Sequence, residues 1–132
     1  MNKTRNNTLM GIANESLIST RALFKENSMD IDSAYNGQIA SLGVSIAMSG
    51  IRPALAIYFQ DKKSTKVNRR SILTVIAEMI RRDNFGDGSI VDAESLFKES
   101  LNSNEIELDR LKKEVEDCSI ALKQVVRTYN LD

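Results

Sequence analysis

"MSGIRPALAIYF", residues 48–59, interrupts an apolar run with a glycine, an arginine and the chain's single proline. Residues 33–51 carry no charge, so the fold depends on whether this region is one continuous span or two helices meeting at a corner. Asn36, Gln38, three glycines and four serines make residues 33–51 too polar for a membrane span. Gly50 suits the left-handed position just past a helix end, and Pro53 suits the first turn of the helix that follows. The stretch therefore reads as two helices and a corner. The first is expected over 32–49, with Tyr35, Ile39, Leu42 and Ile46 on one side. Gly37, Ser41, Ser45 and Ser49 form a ridge of small residues on the same helix, which suits a central position closely approached by its neighbours. The second is expected over 53–60, burying Leu55, Tyr58 and Phe59.

Outward from this corner, helical spacing recurs in nearly every segment and no strand-length run alternates polar with apolar residues. A first helix is expected over 8–25, with Leu9, Ala13, Leu17 and Phe24 inward. Another over 68–82 presents Ile72, Val75, Ile76, Met79 and Ile80. Asp92 reads as the N-cap of a short helix carrying Leu96, Phe97 and Leu101. The last helix repeats Leu108, Leu111, Val115, Cys118, Leu122, Val125 and Tyr129 at spacings of three and four, a heptad seam. Acidic residues lead it and Lys123 and Arg127 close it, as the helix dipole favours. The expectation is an all-α, compact bundle of about six helices, with 1–132 as a single domain; 132 residues suffice to bury a core without staples.

Composition narrows the chemistry. Histidine is absent, which removes the commonest general base and metal ligand. Cys118 stands alone, so no disulfide or cysteine metal cluster forms within the chain, in keeping with a reducing cytoplasm. The phosphate-cradling, dinucleotide-binding and serine-hydrolase signatures are all missing. No catalytic residue, cofactor or metal site is assigned, so the protein is read as a binding protein and not an enzyme. The N-terminus has no apolar segment followed by a small-residue cleavage site, and a cytoplasmic location is expected.

The zero formal net charge hides a polarity. Residues 61–82 hold Lys62, Lys63, Lys66, Arg69, Arg70, Arg81 and Arg82 against Asp61 and Glu78, a net of +5. Residues 83–109 hold eight carboxylates against Lys98, a net of −7. Lys62, Lys63, Lys66, Arg69 and Arg70 gather at one helix junction, where a phosphate backbone can be held by charge. A solvated connection pairing with the acidic segment accounts for the same run. "DNFGDGSIVDAE", residues 83–94, matches a calcium-binding helix–loop–helix loop at Asp83, Asp87, Gly88, Ile90 and Glu94, but Phe85 stands where an oxygen ligand belongs. A degenerate calcium binder is therefore the weakest alternative.

The stretch "YNGQIASLGVSIAMSGIRPALAIYFQDK", residues 35–62, resembles the small helical subunit of the Cmr-type (type III-B) CRISPR effector complex. Tyr35, Gly50, Ile51, Ala54, Ala56 and Lys62 fit that family's outline: a tyrosine opening a helix, a glycine corner, and an alanine-rich helix closed by a lysine. "ALKQVVRTYNL" is similar to its closing helix, although the tryptophan often found there is absent, Ser49 replaces the usual asparagine and Pro53 is unusual. The resemblance implies a noncatalytic subunit that stacks in several copies along guide RNA and target RNA, beside backbone and large subunits, in antiviral defence. It implies an RNA-facing role for Lys62, Lys63, Lys66, Arg69 and Arg70, with Arg52 helping at the corner. It also gives the polarised charge a use in head-to-tail stacking. The competing reading is a helical adaptor that associates through the seam of the last helix and binds no nucleic acid.

Overall fold

A computed structural model describes residues 1–60 and 67–132. These residues build six α-helices: α1 (Lys3–Thr20), α2 (Ala34–Ser49), α3 (Ile51–Phe59), α4 (Arg69–Arg82), α5 (Ala93–Asn102) and α6 (Glu105–Val126). No strand occurs among the described residues, only isolated bridges of Ile31 with Phe24 and with Leu131. The all-helical bundle expected from the spacing is present.

Local chemistry sets most of the ends. The Asn2 side chain accepts from the Arg5 amide at 2.8 Å, and the Asn68 side chain accepts from the Arg70 amide at 3.0 Å. Asp92 and Ser95 exchange a capping box at the start of α5, as do Asn104 and Glu107 at the start of α6. The first helix differs from expectation: it begins at Lys3 and stops at Thr20, leaving Phe24 outside. Arg21 caps it in the left-handed conformation, φ 53°, and its guanidinium donates to the Ser28 carbonyl at 2.6 Å. No glycine marks that end, so spacing alone runs the helix too far.

At the corner, Gly50 has φ 90° and ψ 166°. This is not the left-handed helical position expected but the extended positive-φ region that is essentially restricted to glycine. It caps both helices, so α3 starts two residues earlier than expected, with Pro53 still inside its first turn, where no intrahelical N–H is needed.

The centre belongs to α4, not α2. Ile72, Leu73, Val75, Ile76, Ala77, Met79 and Ile80 are buried on it, and it packs against α1, α3, α5 and α6. Helix α2 buries Tyr35, Ile39, Leu42 and Ile46, as its spacing predicts, chiefly against α3 and α6. Its small-residue ridge faces outward, with Gly37, Ser41 and Ser49 exposed. An uncharged helix is thus placed by its neighbours in the fold, not by its mean polarity.

The seam of α6 lies inside the bundle: Leu111, Val115, Cys118, Leu122 and Val125 are buried against α1, α2 and α4. Leu108 is half-buried, and Tyr129 falls beyond the helix end and meets Phe24 edge to face at 5.2 Å. The adaptor reading needs this seam on the surface, and the core occupies it. On α5, Leu96 is buried and Phe97 partly so, but Leu101 is exposed and Ser100 points inward instead. Among the described residues no helix is long and apolar enough to cross a membrane.

Candidate nucleic-acid interface

The junction between α3 and α4 is built from arginine and aromatic side chains. Arg70 Nε donates to the Phe59 carbonyl at 2.7 Å, satisfying an orphan acceptor at the end of α3. Its guanidinium lies 4.3 Å from the Phe59 ring centre, and that of Arg69 lies 5.2 Å from the Tyr58 ring centre. Phe59 stacks in turn on Phe97 at 5.2 Å, which ties the junction to α5. The Tyr58 hydroxyl donates to the Gln38 carbonyl at 2.6 Å, and burial pushes its phenol up to about 12. The rings are thus fixed platforms, and both guanidinium groups are held against them.

Neither Arg69 nor Arg70 is ion-paired with an acid among the described residues. Both are half-buried, so packing fixes their charge in place. Lys62, Lys63 and Lys66 of the same expected patch lie outside the described residues.

The remaining cations have other positions. Arg52 sits at the start of α3, about 9 Å along the axis from Tyr58 at the helical rise. Its Nε and Nη2 donate to the Ser100 and Ser103 carbonyls, each at 2.7 Å. A planar fork suits this double contact, and the positive charge complements the C-terminal end of α5. Arg81 and Arg82, at the far end of α4, both hold Glu78, at 2.6 and 2.7 Å. Hydrogen bonding from Arg81 keeps the Glu78 carboxyl below its ordinary range. Their share of the basic run is neutralised locally.

In the acidic segment the carboxylates of the calcium-like loop are turned to separate partners. Asp83 faces Arg5 at 3.3 Å, Asp87 accepts from the Ser89 amide, Asp92 caps α5, and Glu94 pairs with Lys98 at 2.7 Å. Ile90 is buried, and Gly86 and Gly88 make the turns at positive φ. Among the described residues no group of three or more candidate ligands is arranged to hold a metal ion. A groove of about 310 Å³ opens beside this segment, lined by Phe85, Glu99, Ser103, Glu107, Arg110 and Leu111.

By sequence, Arg69 and Arg70 belong to a basic cluster without interleaved aromatics. The structure supplies aromatic partners from α3, in "YF" at 58–59, eleven positions before "RR" at 69–70. A helix end carrying two aromatics, followed by a short link and paired arginines, is the signal that could have found them.

Neither a protein-family model nor a curated protein sequence matches the chain. Among solved structures, the fold is similar to a CRISPR-associated Cmr5 family protein from Thermus thermophilus. The match has a TM-score of 0.68 and 16% sequence identity, and it covers 98% of this chain and 99% of that one. The chain therefore shares, over nearly its whole length, the helical fold of a Cmr5 family protein.

Proposed function

We propose that this chain is a noncatalytic small subunit of a type III-B CRISPR ribonucleoprotein effector, stacking along guide and target RNA and helping to hold the target. The observation that carries the reading is the near full-length fold match, which joins the residue pattern of the Tyr35 to Lys62 stretch. Arg69 and Arg70, without acidic partners among the described residues, are the described members of the RNA-facing patch. Lys62, Lys63 and Lys66 complete it, and Arg52 adds charge from its fixed place at the other end of α3. Such a patch holds phosphates and carries no base readout, so binding is weak for one subunit and tight for an assembly. The acidic run 83–109 repels nucleic acid and suits the basic side of a neighbouring copy or subunit.

The test is RNA binding across a salt series, alone and with the co-purified complex. Replacing Arg69 and Arg70 with alanine lowers affinity for all single-stranded sequences about equally. It also reduces the logarithmic salt slope by roughly 0.7 for each phosphate that is no longer neutralised. Unchanged binding and unchanged assembly after alanine replacement of Lys62, Lys63, Lys66, Arg69 and Arg70 together would refute the assignment.

A further inference from the structure

Arg5, in the first turns of α1, faces three carboxylates from distant parts of the chain. Its Nη1 lies 3.3 Å from Asp83, just past the end of α4, its Nη2 lies 2.7 Å from Glu114, and its Nε lies 3.1 Å from Asp117, both on α6. The carboxylate side chains are only 16%, 6% and 9% exposed, respectively. Were all three ionised, one guanidinium would stand against three negative charges in a site that water barely reaches. Buried charge of that kind is relieved by keeping a proton. Glu114 is the least exposed of the three, and the Asp83 carboxylate on the same guanidinium disfavours its charge further.

We infer that Arg5, Asp83, Glu114 and Asp117 form a proton-dependent latch that holds the start of α1 against α6 and the end of α4, closed while Glu114 keeps its proton. The titratable groups facing Glu114 come from each element packed around it. Helix α1 contributes Arg5, the end of α4 contributes Asp83, and α6 itself contributes Asp117 and Cys118. The Cys118 sulfur is 3.9 Å from Glu114, and burial pushes its thiol far up, so it stays neutral. Glu78 of α4 pairs with Arg81 and Arg82, Arg82 also reaches Glu15 of α1, and α2 holds no charged residue. Burial first, then Asp83, push the Glu114 carboxyl up to about 8 against the pull of Arg5.

The latch bears on α1 because the helix start is otherwise little buried. Leu9 is the first buried residue of the chain. Before it, Arg5 and Asn6 make long-range side-chain hydrogen bonds, the latter donating to Gln124 at 2.9 Å. The sign follows from linkage: an unfolded or detached glutamate ionises near its ordinary value, whereas the docked one holds its proton to about 8. Docking is therefore favoured most at low pH and weakens as pH rises from the ordinary glutamate range to about 8, then levels off.

Hydrogen exchange of the amides in residues 3–10 tests this, after correction for intrinsic exchange rates. Protection in the intact protein should fall by up to about tenfold per pH unit until about pH 8. Glu114→Gln, which can still accept from Arg5 without ionising, should flatten the profile. An equal fall in Glu114→Gln overturns the latch. If that variant fails to fold, the carboxyl carbon of Glu114 in the unsubstituted protein, followed by magnetic resonance, decides: a midpoint well above the ordinary glutamate value supports the latch, and one near that value overturns it.

Discussion

Helices α2 and α6 lie side by side and both bury an apolar face, yet composition would rank their enclosure the other way. Helix α2 has no charged residue, but Val44 is 58% exposed and Met48 81% exposed, with Ala40, Ser41 and Ala47 beside them at the surface. Helix α6 is rich in charge, most of it in "ELDRLKKEVED" at 107–117, yet it is the more enclosed, and even Glu114 and Asp117 are buried on it. The difference lies in neighbours. Helix α6 is flanked by α1, α2 and α4, whereas α2 is covered chiefly by α3 and α6. Periodicity states which stripe of a helix turns inward, and the helices packed around it decide how wide that stripe becomes.

The contrast can be broken most directly at the seam of α6. Leu111→Asp places an unpaired carboxylate where the side chain is 1% exposed, and should cost more than about 4 kcal/mol, abolishing cooperative unfolding in urea. A folded monomer by sedimentation would mean that the seam is an interface and not core. Gly50→Ala sharpens the boundary between α2 and α3. A Cβ there would meet only ordinary contact, 3.9 Å to the Pro53 Cδ, so any loss comes from the backbone at φ 90°. That loss should be about 1–3 kcal/mol in thermal unfolding; no change would show that the corner relaxes to another conformation. The smallest effect belongs to the outer face of α2, where Val44→Lys should leave stability within about 0.5 kcal/mol. A large destabilisation from that change would show the exposed stripe to be covered in solution.

Legibility followed the range of the forces involved. The N-cap at Asp92, the inward stripe of α2 and the seam of α6 were readable because they depend on residues within a few turns of one another. The end of α1 was not, since Arg21 holds its left-handed turn through Ser28 and the Phe24 ring, contacts made by the loop after the helix. Of the candidate interface, the charge was readable and the geometry was not. Nothing in the spacing of Arg52 indicates that it grips the end of α5 at Ser100 and Ser103, while Arg69 and Arg70 lie on Tyr58 and Phe59.

The amino-acid order by itself determined that the chain is helical, where most helices begin, which faces are apolar, and that positive and negative charge are segregated, because each is a property of residues close along the chain. Tertiary structure alone decided that α4 and not α2 is central and that Arg69 and Arg70 rest on rings while Arg81 and Arg82 are spent on Glu78. It also brought Arg5 to Asp83, Glu114 and Asp117, which stand 78, 109 and 112 positions away in sequence. Packing brings together groups that no local pattern relates, and burial then alters their chemistry by removing the water that would otherwise screen them.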